Sequence, residues 1–160
     1  MIIKIGVKTT EPELVAYLEV NPEESETMAL AKLNSLISSK GVKPRDPSMI
    51  VYIDEKENPG CRKEVMIPLN KEVKGIPSKV FPQLRAGFLV FADVERPITY
   101  YYDLLLKHLE ERELKPKHYG ICTSIEAIYE PEQFGYGNMS LVDEDKPEVY
   151  ETEIIIPIED

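Results

Sequence analysis

The sequence predicts an α+β domain: two pseudo-symmetric strand-helix-strand-strand repeats forming antiparallel sheets with a central groove. Three observations predict it. Lys63-Glu64-Val65-Met66-Ile67-Pro68-Leu69 recurs as Thr152-Glu153-Ile154-Ile155-Ile156-Pro157-Ile158. Each copy is preceded by the same kind of helix exit, Gly41-Val42-Lys43-Pro44 and Glu113-Leu114-Lys115-Pro116. Between these landmarks each half holds one long helical segment and three short β-rich runs. A repeat fixes the architecture before any single residue is read, and hairpins with helices on one face give an α+β class. The 160 residues suffice for one domain with its own core. Repeat 1 spans about 1–70, a linker about 71–79, and repeat 2 about 80–160.

In the first half, Val15–Val20 reads as a strand ended by Asn21-Pro22. A helix follows from Pro22 to Lys40, with Pro at its first position, Glu23, Glu24 and Glu26 in its first turns and Gly41 after its end. Met28, Leu30, Ala31, Leu33 and Ile37 give it an apolar side at helical spacing. Met49–Ile53 is a short strand, Asp54–Gly60 a turn-rich loop and Lys63–Leu69 the closing strand. The second half repeats the order. Gly87–Ala92 is a strand, and Pro97 opens a helix to about Arg112 whose buried side is Leu104, Leu105, Leu106 and Leu109. Ile121–Tyr129 and Val149–Ile158 are the last two strands. Leu69–Val80 joins the repeats, with turns at Gly75 and Pro77.

The copies are unequal. Tyr52 to Glu64 spans 12 residues and Tyr129 to Glu153 spans 24, so the second hairpin carries an insertion, Glu130–Glu148. It holds Phe134, Gly135, Tyr136, Gly137, Asn138 and the acidic run Asp143-Glu144-Asp145. Long loops in compact domains are usually functional or disordered, so this one reads as a lid or as a plain hairpin tip. Of nine tyrosines, seven lie in the second half.

Composition narrows the functions. The net charge of −10 opposes direct nucleic-acid binding, which needs a basic face, and favours a cationic ligand over an anionic one. No apolar run approaches the roughly 20 residues of a membrane span, and Met1-Ile2-Ile3-Lys4-Ile5 lacks a signal-peptide core, so a cytoplasmic protein is expected. Cys61 and Cys122 have no metal-ligand spacing and read as reduced thiols. No metal or cofactor motif is present, and neither is a phosphate loop or nucleophile elbow. His108 and His118 lack a partner at a useful spacing and read as surface or structural.

Glu64 and Glu153 are the sharpest signals, since each sits in a strand otherwise made of Val, Ile and Met, where an unpartnered carboxylate is costly. The two-residue strand period puts Glu153 on the face of Ile155 and Pro157, with Ile154 and Ile156 opposite. A charged edge strand is the plain alternative. Glu126 lies between Ile125 and Ala127 in the neighbouring strand, so the two side chains are expected to face one cavity. Paired carboxylates in an apolar setting give an acid and a base, or counter-charges for a cation. Tyr100-Tyr101-Tyr102 opens the second helix; the three splay around it, so one or two are free to line a pocket and offer cation–π contact, while the plain alternative for any single one is that it covers the sheet beside the leucines.

In this order, and closing on Glu-Ile-Ile-Ile-Pro-Ile, the chain from about Ile3 to Ile158 resembles the GyrI-like small-molecule-binding family. That family includes the effector-binding domains of MerR- and AraC-type multidrug-sensing regulators. The most specific parts of the match are Thr152–Ile158 and Gly87-Phe88-Leu89-Val90-Phe91. The resemblance implies two pseudo-two-fold-related units around an aromatic groove, with Glu153 matching a last-strand glutamate and Glu126 a second pocket glutamate. Tyr17, Phe88, Tyr101, Tyr102, Tyr129 and Tyr136 complete the implied ligand-binding set. The family's Gly-Pro-Tyr entry to the second helix is here Glu95-Arg96-Pro97-Ile98. No helix-turn-helix is found ahead of the repeats in these 160 residues, so a stand-alone member is expected.

Three functions follow. The first is binding of a hydrophobic or cationic small molecule in the groove. The second is hydrolysis of a strained, cyclopropane-type electrophile, with Glu153 as base and Glu126 or a tyrosine as acid. The third is a gyrase-inhibitor-like contact with a protein partner. Ligand identity and oligomeric state are not written in the sequence.

Overall fold

A computed structural model describes residues 2–92, 96–118, 120–130 and 151–160. Its strands are β1 (Ile2–Thr9), β2 (Glu13–Glu19), β3 (Ser48–Tyr52), β4 (Lys63–Pro68), β5 (Ser78–Phe81), β6 (Arg85–Phe91), β7 (Ser124–Tyr129) and β8 (Glu151–Pro157), and its helices are α1 (Glu26–Ser39) and α2 (Ile98–Glu111). The expected elements are present, with ends displaced by a few residues. The expected α+β class holds, and its strands form one antiparallel sheet of eight, ordered β1-β6-β8-β7-β3-β4-β2-β5.

That order is its own mirror. β6, α2, β7 and β8 repeat β2, α1, β3 and β4, and the halves join where β3 pairs β7, with Ile50 opposite Glu126. Two strands absent from the sequence reading complete the sheet. β1 leads the first repeat yet pairs with β6 of the second, and β5, which includes the end of the segment read as linker, pairs with β2 of the first. Each repeat thus lends its leading strand to the other.

Both helices cover one face. Ala29, Leu33 and Ile37 of α1 pack on Ala16, Ile50, Val65 and Ile67. Tyr101, Leu105 and Leu109 of α2 pack on Leu89, Ile154 and Ile156. The residues i, i+4 and i+8 form a narrower stripe than expected: Met28 and Leu106 are exposed, and Ala31 is too. Helix α1 starts at Glu26, not at Pro22, because the Ser25 hydroxyl accepts from the Met28 N–H at 3.1 Å and supplies the N-cap. Gly41 leaves α1 with φ +72°, and Glu113 leaves α2 in the same left-handed region at φ 59°.

The opposite face, called the open face below, alternates with the helix face along every strand. It gathers Val15, Val51, Met66, Phe81, Ala86, Phe88, Ile125 and Ile155 into its own buried cluster. Cys61 and Cys122 are free thiols in different clusters.

Candidate functional site

The period-2 alternation decides what each acidic side chain can reach. In the β7–β8 ladder Ala127 opposes Glu153, and Glu126 opposes Ile154. Cross-strand partners share a face, so Glu153 points to the open face and Glu126 to the helix face. The single cavity expected to hold both carboxylates is therefore corrected: they are on opposite sides of the sheet. The same ladders correct the match of Tyr52 with Tyr129. Val51 opposes Glu64 as Ala127 opposes Glu153, so Tyr129 corresponds to Ile53, and Tyr52 faces the helices.

On the open face, Glu153 is 4% exposed at the floor of a cavity of about 220 Å³. Met49, Phe81, Leu84, Ile125, Ala127 and Ile155 supply its apolar wall. The Glu153 carboxylate takes Lys8 Nζ at 2.5 Å and the Tyr129 hydroxyl at 3.4 Å. Lys8 comes from the borrowed strand β1, and its Nζ also lies 4.8 Å from the centre of the Phe88 ring. Carboxylate and ring together hold an ammonium group. Burial, with the Glu153 charge and hydrogen bond adding to it, pushes the Tyr129 phenol up to about 12, so it stays protonated at neutral pH. Of the expected set, Glu153, Phe88 and Tyr129 are brought together here, and Tyr17 lies farther along the same face.

On the helix face, Glu126 is buried and fully engaged. It accepts from the Tyr102 hydroxyl at 2.7 Å, from Lys56 Nζ at 2.5 Å and from the Tyr52 hydroxyl at 3.4 Å. Lys56 arrives on the β3–β4 loop and sits 5.0 and 4.8 Å from the Tyr52 and Tyr102 ring centres. Burial foremost, then the Glu126 charge, raises the Tyr102 phenol far above its usual range. The cluster ties the two halves together at their junction. Tyr101, expected to bind ligand, is instead core: it is 1% exposed and stacks on Phe91 with ring centres 3.9 Å apart. Tyr136 lies outside the described residues, as does most of the insertion read as a lid.

The open-face arrangement occurs twice. Where Glu153 takes Lys8 beside Phe88, Glu64 takes Lys79 Nζ at 2.6 Å, and Lys79 lies 4.2 Å from the Tyr17 ring centre. The registers make these residues equivalent: Tyr17 pairs Met66 as Phe88 pairs Ile155, and Lys79 pairs Val15 as Lys8 pairs Ala86. The reading of the sequence missed Lys8, Lys79 and Lys56. A signal existed for Lys8, since Lys4 and Lys8 alternate with Ile5 and Val7 in the N-terminal run.

This architecture has known counterparts. The crystal structure of the EcmrR C-terminal domain superposes with a TM-score of 0.71 at 15% identity, over 98% of this chain and 97% of that one. The chain has the GyrI-like α+β fold. It also matches EcmrR in its DNA complex, TM-score 0.64 at 14% identity, where it spans 57% of that chain. SAV2435, solved bound to tetraphenylphosphonium, matches at TM-score 0.51 and 10% identity, over 98% of this chain and 94% of that one. At these identities the likeness is one of fold. No family model matches the sequence, and no curated protein is recognisable as its relative by sequence. Among the described residues no helix is long and apolar enough to cross a membrane, and no group of side chains has the make-up of a metal site.

Proposed function

We propose that this GyrI-like domain binds a hydrophobic, cationic small molecule in the open-face groove, with Glu153 answering its charge. One observation carries the reading: a nearly buried carboxylate at the floor of an apolar cavity already holds an ammonium group against an aromatic ring. An apolar cavity with a few converging polar groups is the usual form of a ligand site. Its rim adds Glu11, Glu13 and Asp46 against Arg45 alone, which favours a cation, as does the net charge of −10. The cavity of about 220 Å³ falls below the ~300 Å³ at which drug-sized sites begin. Lys8 is part of its lining, and a side chain 36% exposed on an edge strand can swing out to solvent and enlarge it. SAV2435 supports the ligand class, having been solved with a lipophilic cation.

Calorimetric titration with tetraphenylphosphonium tests the reading. Wild type should bind and Glu153→Gln should bind at least tenfold more weakly. Absence of binding across a panel of hydrophobic cations sinks it. Hydrolysis is the second reading, favoured by the protonated Tyr129 phenol beside Glu153. It loses Glu126 as acid, which is across the sheet, and needs turnover of a strained electrophile that Glu153→Gln abolishes.

A further inference from the structure

The groove around Glu153 is one half of a duplicated feature. On the open face Glu64 is held as Glu153 is: a lysine from the strand lent by the other repeat lies on the carboxylate and over a ring. We propose that Glu64 and Tyr17 form a second cation cradle, which makes the open face a two-headed site for a compound carrying two cationic groups on an apolar spacer. The inference rests on the reading of Glu153 as a cation-binding carboxylate.

Four observations support it. A cavity of about 240 Å³ adjoins the second cradle, lined by Glu64, Lys79, Met66, Ile53 and Ile121. That cavity and the one over Glu153 share a wall, Phe81. Between the carboxylates the open face of β7 and β3 presents Met49, Val51, Ile125 and Ala127, and the charged residue of these strands, Glu126, points to the other face. Finally, both lysines have side chains over a third exposed while their carboxylates are 5% and 20% exposed, so it is the ammonium group that is displaceable. Glu153 on β8 and Glu64 on β4 are three strand steps apart. At about 4.8 Å a step, with roughly two residues of offset, a flat sheet separates them by about 16 Å. A ten-carbon α,ω-bis-ammonium spans that order of distance and lays its chain on the apolar floor. Tethering two heads turns the second contact into an intramolecular one, raising affinity with no new kind of contact.

Calorimetry with decyltrimethylammonium and with the bis-trimethylammonium decamethonium tests the proposal. The monocation should bind with two equivalents per chain, and Glu64→Gln or Glu153→Gln should each leave one. Decamethonium should bind with one equivalent, at least tenfold tighter, and either substitution should remove that gain. Lys79→Met should tighten decamethonium, which checks the second cradle without altering its carboxylate. One monocation equivalent that Glu153→Gln removes and Glu64→Gln spares would overturn the second head and leave the Glu153 reading standing. Loss of neither equivalent in Glu153→Gln would overturn both.

Discussion

Replacing Lys8 by Met is the perturbation with the least expected sign. In most binding sites, removing a polar residue weakens the ligand. Here Lys8 occupies the place a cationic ligand would take, so its loss should tighten binding. The magnitude follows from what the ligand no longer displaces. A partly exposed ion pair contributes about 0.2–1 kcal/mol, and Lys8 is 36% exposed at its side chain. An ammonium over the Phe88 ring adds about 0.5–1 kcal/mol at such a site. Together these give about 1–2 kcal/mol, or roughly 5–30-fold in affinity at 1.4 kcal/mol per tenfold. Methionine keeps the apolar stem and removes only the charge. Titration calorimetry with tetraphenylphosphonium at fixed salt measures the change, and Lys8→Arg is the control that keeps a cation in place. The free Lys8→Met protein should melt below wild type, because Glu153 is left buried without its partner, and ligand should restore the loss. An unchanged or weaker affinity in Lys8→Met would refute the idea that Lys8 competes with the ligand.

Three further predictions concern the frame around the site. Gly87 faces α2, and a Cβ there would lie 2.6 Å from Leu109 Cδ2; Gly87→Ala should cost about 1–3 kcal/mol in urea unfolding, with a cost well below additive when combined with Leu109→Ala. Glu113 ends α2 at φ 59°, a conformation glycine adopts freely, so Glu113→Gly should raise stability by up to about 1 kcal/mol, seen as a higher melting temperature. The Arg62 side chain, with its backbone N–H, holds Asp54 down at about 2 against an ordinary 3.8. A lowered carboxylate stabilises the fold above its unfolded value and loses that contribution as pH falls through the folded value. The urea midpoint of Arg62→Met should therefore lie below wild type at pH 5, and the gap should close between about pH 4 and pH 2.

Much of the fold was legible because its signals are local. The repeated Glu-…-Pro strands, the two helix exits and the helical spacing of Leu33 with Ile37 need only neighbouring residues. The face of Glu153 was also legible, since Ile154 and Ile156 alternate against it within one strand. Its relation to Glu126 was not. A hairpin's register sets which residues share a face, and a slip of one residue inverts the answer. Ten residues join β3 to β4 and twenty-one join β7 to β8, and neither connection is short enough to set the register. The same one-residue ambiguity matched Tyr52 to Tyr129. β1 and β5 escaped because each pairs with the other repeat, a long-range choice that neither segment states. With them went Lys8 and Lys79, the cations that define both cradles. Tyr101 was misplaced for a simpler reason: three tyrosines in a row fix how they splay but not which one faces the sheet, and the stack on Phe91 decides that.

The most direct measurement is an isotope-filtered NOE experiment on the tetraphenylphosphonium complex. The central claim is that the cation lies on the open face at Glu153. It predicts contacts from the ligand's ring protons to Met49, Ala127, Tyr129 and Ile155. Contacts to Tyr52, Tyr102 and Ile156 instead would put the ligand among the helices at Glu126 and contradict the account.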